Sequence, residues 1–461
     1  MRLVTSTPAQ PAERAERPRL HFAHIPKTAG ITMKAYFESN FPEGDSIVLE
    51  EEAAGTVTRD TLLCHHFISS HYSYEIRQAL GERPDVTAML VREPMSRYQS
   101  WLEHGRRSSM PEYRQTCDQG SALDVLKAPD SYGARQAHWL VRSFEQGAEY
   151  KAVPSIDQLN ALLNYVDIPG TVEDIERFKQ LVSFRMGWAP PANGWKFNGA
   201  PREAVTSAQR EIGEEYAAIK EQLAVDFALY EMVQQRFWAA YADMLSALRP
   251  DAVPFTPESA RNVPIELAQD WLLHRFMAMV AVTEEPTERF VLTASQPVSG
   301  TGWWWRNAHD GQSWAWSGPE RTSTLILPKL KGGQAYELTI DFMGAANWQV
   351  WEGSTADVNG RPVAVVRERT SRTSPSSCTC RMHIHLTPAD VARQGDATSV
   401  TLTVPQTVQL FAHVVNEDSR DTFNRDTRAV GLAFNKLTVR RSTRAAAPVL
   451  TLRPGTTSAA A

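Results

Sequence analysis

The chain has 461 residues, of which 42% are hydrophobic, and a formal net charge of −5 at pH 7. This length exceeds one ordinary domain and the apolar content suffices for two cores, so we expect two domains. The negative net charge argues against a nucleic-acid surface, which needs clustered lysine and arginine. The sequence also has no run of about eighteen apolar residues, which excludes a conventional transmembrane helix.

Residues 1–18 are rich in proline and charge and contain no long apolar run. This composition predicts a disordered N-terminus without a signal peptide or a membrane anchor. The cysteines suggest no disulfide framework, and the closely spaced last two fit incidental loop thiols. Both features predict a cytoplasmic protein. The cysteines are Cys64, Cys117, Cys378 and Cys380.

The motif HIPKTAGIT, residues 24–32, lies where a short buried strand around Phe22 turns into an amphipathic helix. Ala29 and Gly30 leave the backbone bare, and the N–H groups at a helix start converge with the Lys27 ammonium on one spot. This arrangement is typical of an anion site, although a strand–helix turn with a solvated lysine fits the same pattern. The motif differs from the nucleoside-triphosphatase loop, because two glycines followed by Lys and Ser/Thr are absent at the required spacing.

A second apolar strand ends in the segment TAMLVREPMSRYQSW, residues 87–101. Arg92 follows the strand, and Ser100 lies in the helix that comes next. An arginine fork and a serine hydroxyl are suited to binding one further phosphate. The alternative is an arginine that pairs with Glu93 or Glu103 on the surface.

Two phosphate sites on neighbouring strand ends suit a nucleotide that is phosphorylated at both its 5' and 3' positions. At these two motifs the chain resembles the sulfotransferases that use 3'-phosphoadenosine 5'-phosphosulfate, in particular carbohydrate sulfotransferases of the heparan 2-O-sulfotransferase type and their bacterial relatives. The resemblance covers roughly the first half of the chain. It implies a P-loop-like α/β domain with a parallel sheet flanked by helices, the phosphosulfate nucleotide as donor substrate, and no metal.

The resemblance also implies which residues bind the donor. Arg92 and Ser100 correspond to the family's 3'-phosphate pair, and Lys27 is expected to neutralise the charge that gathers on the leaving nucleotide. Ile31 stands where many relatives carry Thr or Ser, so one side-chain donor is lost while the backbone N–H remains. The 5'-phosphosulfate loop corresponds to Lys27, Thr28, Ala29, Gly30, Ile31 and Thr32.

The run CHHFISSHY between the two motifs offers three histidines for the family's general base. His66, which precedes Phe67, matches the family position best, and a neutral imidazole suits proton abstraction near neutral pH. We place His65 on the substrate side and assign no role to His71. Any one of them also fits a hydrogen-bonded structural histidine. A metal site is rejected because no carboxylate or cysteine lies at ligand spacing.

Further family-like residues follow in the segment SYGARQAHWL, residues 131–140. Gln136 and Trp139 match a stretch that lines the acceptor side in the family, but Ala134 and His138 replace its usual Asn and Arg. Two later stretches are expected to serve packing and capping. They are Gly170, Thr171 and Glu173, and Asp226, Leu229 and Tyr230.

Composition and periodicity divide the chain into segments. Helical spacing dominates from about Glu203 to Leu248, prolines crowd the next stretch before one more helix over residues 265–282, and short β-type runs such as residues 336–342 alternate with turns thereafter. The last segment is rich in Ala, Ser, Thr and Pro. We therefore predict a disordered segment 1–18, a sulfotransferase domain 19–249, a Pro-rich linker and helix 250–284, an antiparallel β-sandwich or jelly roll 285–443, and a disordered tail 444–461.

Seven of the thirteen tryptophans fall in the first part of the β region. Tryptophans stack on sugars when exposed and fill cores when buried, so the sequence supports a glycan-binding module and a structural core equally. Oligomerisation through this region is a third alternative. The residues are Trp303, Trp304, Trp305, Trp314, Trp316, Trp348 and Trp351.

The sequence thus predicts a sulfotransferase that acts on a hydroxyl, preferably of a carbohydrate. Protein tyrosine, lipid or a small metabolite are the alternative acceptors. Two other classes remain open: a kinase that uses ATP, and a non-catalytic protein that binds glycans through the β-sandwich. The absence of a Mg²⁺-binding carboxylate beside the first loop, and the pairing of Arg92 with Ser100, disfavour the kinase.

Overall fold

The computed structural model describes residues 17–49, 56–118, 120–128, 131–145, 153–191, 202–283, 285–369, 379–409 and 428–442. The predicted disordered segments lie outside these residues, except for Arg17 and Pro18, and so does Cys378.

The N-terminal domain is built on a five-stranded parallel sheet in the order β2-β3-β1-β4-β5. Most of its strand residues are buried, as expected for a parallel sheet with helices on both faces. The predicted parallel sheet flanked by helices is confirmed. The strands are β1 (Leu20–Ala23), β2 (Ser46–Leu49), β3 (Phe67–Ser70), β4 (Val86–Val91) and β5 (Ile168–Thr171).

Short helices connect the strands, and a three-helix segment, broken at Glu215 and Leu223, replaces the single long helical pattern of the sequence. The last of these helices packs against β5 and buries Phe237 and Tyr241. The helices are α1 (Gly30–Ser39), α2 (Arg59–Leu63), α3 (Ser73–Leu80), α4 (Pro94–Arg107), α5 (Pro111–Cys117), α6 (Ala122–Lys127), α7 (Gln136–Phe144), α8 (Ile156–Leu163), α9 (Ile175–Met186), α10 (Arg202–Glu214), α11 (Tyr216–Gln222) and α12 (Ala224–Leu248), with a 3-10 turn over Ser131–Ala134.

The segment predicted to be a linker is packed against the N-terminal domain. It contains α13 (Pro257–Arg261) and α14 (Ile265–Thr283), close to the predicted helix. Ala260 and Ala268 are fully buried in the same core as Tyr241. The segment is thus not an extended spacer. Pro257 occupies the first position of α13, where the missing N–H of a proline costs no helical hydrogen bond.

The C-terminal domain consists of antiparallel sheets, as predicted. One sheet has the order β13-β12-β16-β10-β7 and the larger one β14-β15-β11-β19-β9-β8, with β6 also paired to β19. Apolar residues of both sheets form one core, and two short strands pair separately. The elements are β6 (Arg289–Thr293), β7 (Gly300–Thr301), β8 (Trp303–His309), β9 (Gln312–Ser317), β10 (Thr322–Leu327), β11 (Tyr336–Ala345), α15 (Trp348–Gly353), β12 (Thr355–Val358), β13 (Arg361–Val363), β14 (Val365–Arg369), β15 (Cys380–Leu386), α16 (Pro388–Val391), β16 (Thr398–Thr403), β17 (Val408–Gln409), β18 (Ala429–Val430) and β19 (Leu432–Arg441).

The two domains share a hydrophobic core. Trp304, Trp305 and Trp316 are at most 9% exposed and belong to the same apolar cluster as Phe37 of α1. Trp351 is buried in the core of the β domain itself. Most of the clustered tryptophans therefore serve packing, which removes the main argument for a glycan-binding surface. In the part of the chain that the structure covers, no helix has the length and apolar character needed to cross a membrane.

Candidate functional site

The two predicted anion-binding segments lie side by side at one edge of the parallel sheet. The loop of residues 24–29 follows β1, and Arg92 follows β4, which is hydrogen-bonded to β1 in parallel register. Both therefore leave the carboxyl edge of the sheet, where ligands bind in open α/β folds.

The loop after β1 has an unusual backbone. Lys27 and Ala29 have φ angles of 70° and 60°, a left-handed conformation that costs non-glycine residues on the order of 1 kcal/mol or more each. Alternating left-handed residues direct successive N–H groups to one side of a loop, which favours an anion there. Ala29 is the N-cap of α1 and no side chain caps this helix start. The first-turn N–H groups of α1 therefore point toward the sheet edge.

Three consecutive carbonyls of the loop are bound from within the protein. The His24 carbonyl accepts from His71 Nδ1 at 2.5 Å, the Ile25 carbonyl from Thr28 Oγ1 at 2.7 Å, and the Pro26 carbonyl from Arg97 Nε at 3.1 Å. These bonds hold the acceptors of the loop toward the interior. Thr28 is fully buried and its hydroxyl is used within the turn, so only its backbone can contribute to a ligand site, unlike the side-chain role that the resemblance allows.

Positive charge is concentrated around Lys27. Its pKa is lowered to about 8, mainly because it is desolvated and also because Arg107, Arg92 and Arg97 repel its charged form. Glu103 opposes this shift, but no carboxylate of the described residues forms an ion pair with the Lys27 ammonium. A cluster of cations of this kind favours an anionic ligand. The prediction that Lys27 and Arg92 belong to one site is consistent with this mutual repulsion.

Arg107 is a residue of this cluster that the sequence motifs do not identify. It lies seven residues after Ser100 on α4, and two helical turns bring residues at this spacing to the same face. Ser100 itself is half-buried on that helix. The seven-residue spacing from Ser100 is the sequence feature from which Arg107 could have been predicted.

The backbone of Arg92 is fixed by Gln136. The side-chain amide of Gln136 accepts from Arg92 N at 3.1 Å and donates to Arg92 O at 2.9 Å. Gln136 is fully buried, so its position on the substrate side is not supported, and it acts by orienting Arg92. Burial lowers the pKa of the Arg92 guanidinium, while Glu173, Glu93 and Glu103 oppose the shift. None of the described carboxylates forms an ion pair with this guanidinium.

Arg97 connects the loop to the segment before α7. It is fully buried and donates to the carbonyls of Pro26, Gly133 and Ala134. Asp226 lies within electrostatic reach and accepts from two N–H groups at the start of α7, which confirms its predicted capping role. Removing a buried guanidinium with three acceptors leaves unsatisfied carbonyls, so Arg97 is structurally essential to the loop.

The structure does not bring His66 to this edge. His66 precedes β3, whose first residue Phe67 is in register with Leu20 at the start of β1. Five residue steps of extended chain lead from His66 to His71, a span of about 16 Å. His66 Nδ1 instead lies 3.0 Å from the Asp45 carboxylate, in a nearly buried pair. The predicted base His66 is thus not brought together with the Lys27 loop and Arg92.

His65 lies beside His66 at the same far edge. Its Nδ1 is 2.8 Å from the Thr61 carbonyl within the α2 turn. The predicted substrate-side residue His65 is thus not brought together with the Lys27 loop either.

His71, to which the sequence assigns no role, follows the last residue of β3 and lies at the carboxyl edge. Its ring stacks on His24 with the centroids 4.4 Å apart, and Trp139 lies 5.6 Å away. Because the His24 carbonyl can only accept, Nδ1 of His71 carries the proton, and in the neutral ring Nε2 has the lone pair. His71 is thus a histidine at the site with the tautomer of a general base.

Gly30, the first residue of α1, is required by the packing of His24. A Cβ atom at Gly30 would lie 1.7 Å from His24 Nε2, and the ring has no room because it is stacked between Phe22 and His71. Burial holds the pKa of His24 well below its usual value, so this ring is neutral at pH 7.

We expect Gly30→Ala to lower the free energy of unfolding by roughly 1 to 3 kcal/mol, since overpacking must displace the ring or the helix. Thermal or urea unfolding of the full chain measures this effect. Gly213→Ala on α10 is the matched control, because nothing lies within 4 Å of its added Cβ and it should be neutral or stabilising. Equal stability of the Gly30 variant and the parent would contradict the packing described.

No family model and no curated protein matches this chain. Among the described residues no group of three or more His, Cys, Asp or Glu side chains is placed to bind a metal ion. The function is therefore inferred from the geometry and the charge of the site.

Proposed function

We propose that the protein is a sulfotransferase that moves a sulfuryl group from 3'-phosphoadenosine 5'-phosphosulfate to an acceptor hydroxyl. The observation that carries the proposal is the placement of Lys27 and Arg92 on adjacent parallel strand ends beside an uncapped helix start. Neither side chain is ion-paired to a carboxylate of the residues that the structure describes. Two separate cationic groups at one edge suit a ligand with two separate phosphates.

In this proposal the loop of the Lys27 motif and the start of α1 bind the 5'-phosphosulfate, and Arg92 binds the 3'-phosphate with Ser100. The N–H groups of a helix start and a lysine together are suited to a multiply charged anion. Ile31 is 52% exposed in the first turn of α1, so its apolar side chain borders the phosphosulfate and adds no hydrogen bond.

The transfer would be an in-line displacement. A new S–O bond forms to the acceptor oxygen while the S–O bond to the 5'-phosphate breaks, and its electron pair stays on adenosine 3',5'-bisphosphate. Lys27 stabilises that growing charge. Nε2 of His71 takes the proton of the acceptor hydroxyl, which places the base at His71 and not at His66.

A carbohydrate is the acceptor that we favour, on the resemblance of the motifs alone. The buried tryptophans of the β domain cannot stack on a sugar and so do not support this choice. Incubation with labelled donor and separate glycan, peptide, lipid and metabolite fractions, followed by mass analysis, identifies the acceptor. Tight binding of adenosine 3',5'-bisphosphate that ATP does not displace is expected. Preference for ATP, with phosphate adducts, would favour a kinase and overturn the proposal.

The depressed pKa of Lys27 predicts how bisphosphate affinity depends on pH. The ammonium is charged below its pKa of about 8 and loses its proton above it, so affinity should fall by up to about tenfold per pH unit beyond that value. Calorimetry between about pH 7 and 10 measures this, with proton uptake on binding at the upper end. Lys27→Arg is the control, since arginine stays charged throughout and its affinity should be flat. A flat profile for the parent would contradict the assignment of Lys27.

A further inference from the structure

The C-terminal domain contacts the helix that forms the anion site. The side chain of Arg306 on β8 donates through Nη2 to the Glu38 carbonyl at 2.6 Å and through Nη1 to the Phe41 carbonyl at 2.8 Å. Its backbone N–H donates to Ser39 Oγ at 2.8 Å. These acceptors belong to the last turn of α1 and the residues just after it.

The Arg306 guanidinium is a cationic donor, which is the kind of group that stabilises the C-terminus of a helix. The last carbonyls of a helix lack intrahelical donors and carry the negative end of the helix dipole, so a cation that donates to them is favourable. No basic residue of α1 occupies its own last turn. Arg306 supplies that cation from the other domain, and its guanidinium also donates to Ser295 O.

Neighbouring contacts make the connection rigid. Glu43 N donates to Ser295 O at 2.7 Å, and Ser313 Oγ donates to the Glu43 carboxylate. Trp304 and Trp305 lie in the same apolar cluster as Met33 and Phe37 of α1. The C-terminal end of the helix is therefore fixed by polar and apolar contacts from the β domain.

The N-terminal end of α1 is also tightly packed. Gly30 lies directly on the His24 ring, where even one added carbon would overlap. A helix of ten residues is about 15 Å long and behaves as a short rigid rod. A tilt at the Arg306 end must therefore move the first-turn N–H groups and the Lys27 loop.

We propose that Arg306 of the β domain is a positioning residue for the anion site, which it acts on through α1. The β domain is then a structural part of the donor site and not an independent binding module. This inference rests on the proposed function only for the identity of the ligand.

The test compares full-length Arg306→Met with the parent in calorimetric binding of adenosine 3',5'-bisphosphate. We expect affinity to fall by about 3- to 10-fold, the size of a lost helix-terminus interaction. Arg306→Lys should recover part of the affinity, because it retains the charge. Arg275→Met is the matched control: Arg275 donates to the Phe184 carbonyl near the end of α9, away from the loop. The control should bind within about twofold of the parent even if it unfolds at a lower temperature.

A merely structural role would lower the unfolding temperature of Arg306→Met without changing the dissociation constant of the folded protein, and that result overturns the inference. If Arg306→Met does not fold, Arg306→Gln, which also removes the charge, carries the same comparison. If the parent fails to bind the bisphosphate, the proposed function has failed, and hydrogen exchange of a peptide covering residues 25–41 then decides. Faster exchange there in the Arg306 variant supports the inference, and unchanged exchange overturns it.

Discussion

Replacing Lys27 with methionine is expected to lower kcat for sulfuryl transfer by about 10²- to 10³-fold, which corresponds to roughly 3 to 4 kcal/mol of lost transition-state stabilisation. The ammonium lies at the start of α1 within a group of arginines and has no ion-pair partner among the described residues. Its charge is thus available to the oxygen that departs with the nucleotide. Initial rates with saturating labelled donor measure the change.

Lys220→Met is the control for this experiment, since Lys220 is an exposed lysine on α11 that lies over the Phe227 ring. Its kcat should equal that of the parent. A Lys27→Met protein that turned over at the parental rate would remove the loop from the mechanism. A large rise in KM with unchanged kcat would mean that Lys27 stabilises the bound ground state and the transition state equally, so that it binds the donor without accelerating the transfer.

His71→Asn should lower kcat by about 10²- to 10⁴-fold, the usual contribution of a general base. The asparagine amide can still donate to the His24 carbonyl in place of Nδ1, so the loop should keep its shape. It cannot accept the acceptor's proton with the basicity of an imidazole. Bisphosphate affinity should therefore stay close to that of the parent while turnover is lost.

His66→Asn is the matched comparison. His66 lies near the Asp45 carboxylate at the far edge of the sheet, so we expect a less stable protein with nearly parental kcat. The reverse outcome, an active His71 variant and an inactive His66 variant, would restore the sequence-based assignment and refute the geometric one.

The choice between His66 and His71 could not be made from the position of these residues in the sequence. Both lie between the two loops, so position along the chain does not separate them. The four residues from Phe67 to Ser70 form a parallel strand, and only the strand direction shows that His66 precedes it and His71 follows it. Recognising FISS as a strand would have supplied that information, because parallel strands end at the same edge.

Local periodicity is the part that sequence predicts best. The helix expected over residues 265–282 is observed as Ile265–Thr283, and the β-type run over residues 336–342 lies within Tyr336–Ala345. Tertiary contacts are the part that it misses. Nothing in the residue order shows that Arg97 is buried against three carbonyls, or that Trp304 and Trp305 pack against another domain. Such features depend on which surfaces meet after folding.

The three internally bound carbonyls of the Lys27 loop have a kinetic consequence. Since His71, Thr28 and Arg97 already hold the acceptors inward, the entropy of ordering these peptide groups is lost during folding and not during association. A nucleotide then binds to a loop that is already preorganised. Association should follow a single bimolecular phase that electrostatic attraction accelerates, without a slower isomerisation after encounter.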